Sequence, residues 1–227
     1  MAKRNKLKKF SEMAEFPNVY QNFDFVKPQL LAANEREVEL KNAWVSEHFH
    51  NNNPLVLELA CGRGEYTLAL ARNNPNKNFI GVDVKGARIW KGANTALEEK
   101  LDNVAFVRTK IELLDRFFGS QEIDEIWITF PDPFLGKPNR RLTAPSFLNL
   151  YRKLIKPEAI LHLKTDDPVL YEFTYKTLQK EKAEIIYHND NIYAEELAYP
   201  ELEYKTYYEF QHLADSRTIK YIRFRLV

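Results

Sequence analysis

The sequence has a single cysteine, Cys61, among 227 residues. One thiol excludes an internal disulfide and a cysteine-based metal site, and it suits a reducing cytoplasm. No stretch of about 18 apolar residues is present, so a membrane-spanning helix is not expected. The first ten residues, MAKRNKLKKF, carry cations without the apolar run of a secretory signal. Internal repeats and low-complexity linkers are also missing, so the chain reads as one folded domain with a modest extension.

What is present is ordinary for a globular protein: 44% hydrophobic and 29% charged residues, enough apolar surface for a full core. The charge is unevenly placed. Lys3, Arg4, Lys6, Lys8 and Lys9 stand in the first ten residues, so the net charge of +1 leaves the rest of the chain at −4. A basic arm on a mildly acidic body fits phosphate binding, and equally a solvated tail. Behind it, residues 16–30 are aromatic and interrupted by Pro17 and Pro28. Residues 34–49 have helical spacing, with Val38, Trp44, Val45 and Phe49 on one face. The expected organisation is a basic arm and irregular extension over 1–33, then a main domain over 34–227.

From residue 54 onward, short apolar segments alternate with helical ones. PLVLELA, NFIGVDV, NVAFVR, IDEIWITF and AILHLKT read as strands, separated by helices over 65–72, 87–101, 145–154 and 168–179 and a turn near 111–118. This alternation predicts an α/β fold, a mainly parallel sheet with helices on both faces. At the end, Ile222, Phe224 and Leu226 alternate with Arg223 and Arg225, the mark of an antiparallel edge strand with one wet face.

Ligands of such sheets bind beyond the carboxyl ends of the strands. Read in order, those ends offer Glu58 with Cys61-Gly62-Arg63-Gly64, then Asp83, Lys110, Asp132 and Asp166. Gly62 and Gly64 permit close backbone approach. The third glycine of a dinucleotide fingerprint is replaced by Thr67. Asp83 suits the two hydroxyls of a ribose, while Glu58 would repel a pyrophosphate and attract an amino group. Adenosylmethionine fits these demands, having a ribose, an ammonium and a sulfonium but no phosphate. Each residue alone has a plainer reading: Glu58 pairing with Arg63 or Lys85, Asp83 capping a helix near Ala87, the glycines forming turns. At one sheet edge together, they point to a cofactor.

The string LELACGRG, the strand-end Asp83, FPDPF followed by KPNRRLTAPSFL, then LKTDD and the late KTYYE together resemble the bacterial tRNA (guanine-N7-)-methyltransferases. The similarity covers residues 54–227. It implies a class I methyltransferase (Rossmann-like) fold, with a mostly parallel seven-stranded sheet and an antiparallel C-terminal strand. It also implies S-adenosylmethionine as methyl donor and N7 of guanosine 46 in the tRNA variable loop as acceptor. Glu58, Gly62, Gly64, Asp83 and Asp132 would contact the cofactor. Lys110, standing where the family has an aspartate, would be a backbone or wall contact, with Glu112 as its alternative. Asp132 would also be catalytic, through positioning and charge stabilisation. Phe134, Lys137, Arg140, Arg141, Asp166, Thr206 and Glu209 would bind the tRNA. Phe134 replaces the tryptophan usual in the family, and the basic loop is shorter than usual. The implied partner is tRNA, with neither membrane nor metal, for a monomer or homodimer.

Guanine N7 is a bare acceptor with no proton to remove, so its methylation needs no general base. What it needs is alignment, and tolerance of a positive charge that moves from sulfonium to base. A carboxylate suits the N1–H and exocyclic amine on guanine's opposite rim. Adenine's N1 would leave it unpaired, a discrimination of about 1–3 kcal/mol. In WITFPDPFLGKPNRR, Pro131 and Pro133 restrict the backbone on either side of Asp132. Phe134 then offers a stacking face, and Lys137, Arg140 and Arg141 offer cations for phosphates. An exocyclic-amine methyltransferase would place Pro-Pro-aromatic after the acid, whereas the order here is Pro-Asp-Pro-Phe. Against a non-catalytic RNA-binding subunit with a vestigial pocket stand Glu58, Gly62, Gly64, Asp83 and Asp132 together. Thr67 disfavours a dinucleotide oxidoreductase.

Overall fold

The computed structural model describes residues 2–227, with side chains from residue 7 onward. The side chains of Lys3, Arg4 and Lys6 in the basic arm lie outside the described residues. Contacts divide the chain into two compact units, Met1–Gly119 and Ser120–Val227.

The first unit contains α1 (Ala2–Met13), β1 (Val19–Gln21), β2 (Leu30–Leu31), β3 (Glu37–Val38), β4 (Leu55–Leu59), α2 (Glu65–Asn73), β5 (Asn78–Asp83), α3 (Gly86–Glu98), β6 (Val104–Arg108) and α4 (Leu114–Phe117). Its strands lie in the order β3-β2-β1-β6-β5-β4. The pairs β4–β5 and β5–β6 are parallel, as the alternation with helices predicts. Their residues are buried almost throughout, which is why the sequence shows continuous apolar runs here and not strict alternation. Phe106, at the centre of β6, fills the space left by three glycines. A Cβ at Gly64, Gly81 or Gly92 would come within 2.5, 2.8 or 2.7 Å of its ring.

Two expectations for this unit need correction. Residues 34–49 do not form one helix; they form a 3-10 turn (Ala33–Glu35), β3 and a single π-helical turn (Trp44–His48). Asn34 and Asn42 adopt left-handed backbone angles, φ 58° and 63°, which interrupt a helix twice. The apolar spacing there reflects tertiary burial instead. Trp44 is fully buried, donates from Nε1 to the Phe117 carbonyl at 2.8 Å and stacks on Phe118. The stretch 16–30 is also less irregular than expected, since β1 pairs parallel with β6 and β2 pairs antiparallel with β1. Helix α1 is held by a buried Met13 and by Trp90 Nε1 donating to Glu12 at 2.8 Å.

The second unit contains β7 (Ile123–Thr129), α5 (Pro145–Leu154), β8 (Ile155–Thr165), α6 (Pro168–Lys180), β9 (Glu184–Asn189), α7 (Tyr207–Ala214) and β10 (Lys220–Arg225), with strands in the order β7-β8-β10-β9. β7 and β8 are parallel, while β10 is antiparallel to both β8 and β9. The C-terminal strand is therefore interior; the edge is β9, whose side chains are at best half-buried. Both α5 and α6 begin with proline, whose fixed φ and missing N–H suit the first helical position. At the centre, the rings of Trp127 and His162 lie parallel 3.8 Å apart. His162 Nδ1 is 2.7 Å from the Tyr221 hydroxyl and Nε2 is 3.1 Å from Glu125. Burial pushes the His162 pKa down while Glu125 opposes the shift, so this is a core histidine. Among the described residues no helix is long and apolar enough to cross a membrane.

Candidate functional site

In the first unit, the loop after β4 turns through Ala60 (φ 58°), Gly62 (φ 57°) and Gly64 (φ 67°), all left-handed. Gly62 needs glycine for its backbone angle alone, because the nearest atom to a Cβ there would be 4.0 Å away, leaving open space beside the main chain. Gly64 opens α2 with no side chain to cap it. Glu58, buried at the end of β4, supplies the missing cap: its Oε2 accepts from the Thr67 backbone N at 2.8 Å and from the Thr67 hydroxyl. Thr67, which broke the dinucleotide fingerprint, is thus the partner of the acid.

Asp83 ends β5, buried at 7% exposure, and ties two loops together. Oδ2 accepts from Gly62 N at 3.0 Å and Oδ1 from Lys85 N at 2.7 Å. Each oxygen keeps a second acceptor direction, so the group can still receive a hydroxyl. Cys61, between these acids, is buried with its thiol pKa pushed well up by burial, Glu58 and Asp83, and is inert. Lys110 is exposed and sits 3.9 Å above the Phe25 ring; Glu112 is exposed as well.

In the second unit, β7 runs into Phe130 (φ 46°), buried Pro131, exposed Asp132, Pro133 and Phe134 (φ 41°). Two bulky residues in the left-handed region so close together mark strain of about 1–3 kcal/mol each, held by the surrounding structure. Asp132 Oδ1 accepts from the Phe134 N–H at 2.9 Å; among the described residues its other oxygen has no partner. The exposed Arg140 lies 4.9 Å from the centre of the Phe134 ring, and Lys137 is exposed beside it in sequence. Arg141 departs from expectation. It is buried at 4%, donates from Nε to the Pro133 carbonyl at 2.8 Å and lies 4.4 Å over Phe173. It holds the Asp132 loop in place and is not presented to solvent beside Arg140.

The late motif also differs from a simple contact set. Thr206 caps α7, accepting from Glu209 N at 3.1 Å. The Glu209 side chain does not return to the cap; it is fully buried, 2.8 Å from Lys164 Nζ, and accepts from the Tyr193 hydroxyl at 2.6 Å, both on Oε1. Among the described residues, its Oε2 is buried without a hydrogen-bond partner. Lys164 also donates to the Leu202 and Tyr204 carbonyls, so its three N–H groups are all used. Asp166 is half-buried, 2.8 Å from Arg217 and 3.5 Å from His212. Lys164, Tyr193 and Arg217 were missed from the sequence. A lysine inside the apolar run AILHLKT was the available sign, since a buried cation demands a partner.

A family model described as "Putative methyltransferase" matches residues 52–220. A tRNA (guanine-N(7)-)-methyltransferase of Christiangramia forsetii is 46% identical over 229 residues, covering 100% of both chains. One from Porphyromonas gingivalis is 47% identical over 215 residues, covering 94% of this chain and 86% of the relative. A solved structure of an antibiotic-related methyltransferase, 21% identical, superposes with a TM-score of 0.60 over 83% of this chain and 95% of its own; it shares the fold.

Proposed function

The chain belongs to the tRNA (guanine-N7-)-methyltransferase family, and from that premise we propose that it moves a methyl group from S-adenosylmethionine to N7 of guanosine 46 in the tRNA variable loop. The cofactor, when bound, supplies a methyl group on a sulfonium, ready for in-line displacement. The remaining work is positional. Asp83 accepts the ribose hydroxyls on the lone pairs that Gly62 and Lys85 leave open. The main chain at Gly62 gives close approach, and Glu58 adds negative charge suited to an ammonium while holding α2 against the loop.

The observation that carries the proposal is Asp132, an exposed carboxylate at the end of a buried strand, fixed by two prolines, with one oxygen free among the described residues. That oxygen accepts from guanine's N1–H or amine, which turns N7 outward and leaves it bare. No residue has to take a proton. Phe134 offers a ring face, and the exposed Lys137 and Arg140 meet phosphates, whereas Arg141 serves by carrying the loop. Glu209, expected from the sequence to touch the substrate, is instead fully buried against Lys164 and serves the interior.

The test is to incubate purified protein with unmodified tRNA and labelled methyl donor, digest the tRNA and identify the nucleoside by mass. The expected product is 7-methylguanosine mapping to position 46. N6-methyladenosine, or no methylated nucleoside, overturns the proposal; 7-methylguanosine at another site overturns the position alone.

A further inference from the structure

One surface of the first unit, apart from Lys110 at its margin, takes no part in the roles above. Arg108, the last residue of β6, faces a cavity of about 370 Å³ whose lining includes Phe10, Gln21, Phe23, Leu31 and Glu35. The guanidinium carbon lies 5.0 Å from the centre of the Phe10 ring and 5.1 Å from that of Phe23, so it is flanked by two aromatic rings. Nη1 donates to Gln21 Oε1 at 3.1 Å. Among the described residues no carboxylate pairs with it, and desolvation alone accounts for its lowered pKa. A half-buried cation that no described carboxylate neutralises is costly, and an incoming anion relieves that cost.

The surroundings repeat the theme. Phe23 is 53% exposed and Phe25 is 41% exposed. Lys110 Nζ sits 3.9 Å over Phe25, and Lys9 Nζ sits 4.3 Å over Trp90. Asp24, between the two phenylalanines, is turned into the loop: its Oδ1 accepts from Val26 N at 2.7 Å and Lys27 N at 3.0 Å. Glu35, exposed on the cavity lining, is an acceptor suited to a base amine. Cations interleaved with exposed aromatic rings are the chemistry by which proteins hold unstacked nucleotides. An acidic peptide would satisfy Arg108 but offers a flat partner for Phe23 only through an aromatic side chain of its own.

We infer that this surface binds an unstacked nucleotide of the RNA substrate, with a backbone phosphate at Arg108 and a base against the ring of Phe23. The inference rests on the tRNA reading and names a contact beyond the methyl-transfer residues.

The experiment measures binding of unmodified tRNA by the full chain at several salt concentrations, with cofactor affinity followed separately by calorimetry. Phe23→Ala removes an exposed ring and is expected to weaken tRNA binding about 5- to 20-fold with little change in salt dependence. Arg108→Gln is expected to weaken it about tenfold and to reduce the salt slope by about 0.7–0.9, the share of one phosphate. Cofactor affinity should be unchanged in both. If Arg108→Gln melts early, Phe23→Ala decides alone. Unaltered tRNA affinity in Phe23→Ala overturns the inference, and so does a matching loss of cofactor affinity, which would assign the surface to the cofactor. A wild-type protein that methylates no tRNA defeats the earlier proposal; normal methylation with unaltered binding in the variants defeats only this one.

Discussion

In the first unit Asp83 is buried and takes a backbone N–H on each oxygen, and Glu58 takes both donors of Thr67. In the second, Asp132 is exposed and takes a single N–H, from Phe134. The earlier pair doubles as part of the framework, joining loops and capping a helix. The later one is kept in place by the rigidity of Pro131 and Pro133 and by Arg141 on the Pro133 carbonyl. Substitution should therefore damage folding and binding together in one unit and chemistry alone in the other. Glu209 shows that the second unit can also build an acid into its interior, with a lysine as counterion.

The largest effect that would sharpen this contrast is on Lys164. Lys164→Met leaves Glu209 buried without its charge partner and is expected to cost about 3–5 kcal/mol in urea unfolding. Adding Glu209→Gln should recover most of the loss; an equal or larger loss in the double variant would break the ion-pair explanation. Next comes Asp132→Ala, expected to slow methyl transfer about 10²- to 10³-fold, or about 3–4 kcal/mol, with melting unchanged within a few degrees. Asp83→Ala should instead lower both melting temperature and cofactor affinity, and identical behaviour of the two variants would erase the distinction between the units.

The smallest effect concerns pH. Burial lowers the His48 pKa from 6.5 to about 4, with the Tyr20 hydroxyl 2.7 Å from its Nδ1. Between those values the unfolded chain binds the proton more readily, so the stability of the neutral ring is intact above pH 6.5 and is lost as pH falls toward 4. The expected loss is roughly 2 kcal/mol between pH 7 and 5. His162 in the second unit is shifted in the same direction, but Glu125 opposes the shift. Replacing His48 should therefore flatten the acid limb of a melting-temperature profile.

The parallel strands were legible because buried strands write themselves as unbroken apolar runs, and α5 and α6 because proline stands at their first position. That acids stand at the ends of these runs was legible too, but their hydrogen bonds to Thr67, Gly62 and Lys85 were not. What escaped detection depended on distant partners. Trp44 and Phe49 mimic a helix face but are buried by tertiary packing around left-handed asparagines. Arg141 looks like its neighbour Arg140 until Phe173, more than thirty residues later, covers it. Glu209 in a polar segment gives no hint of Lys164, which lies on another element. Strand β9 has only half-buried side chains and so leaves a faint pattern.

Phe106 crowds three distant positions at once. Because its ring occupies the room that side chains at Gly64, Gly81 and Gly92 would need, none of the three can drift toward alanine independently. A smaller residue at 106 would relieve Gly81 most directly, because a side chain at position 92 would still meet the Arg63 carbonyl at 2.6 Å and position 64 would still stand at φ 67°.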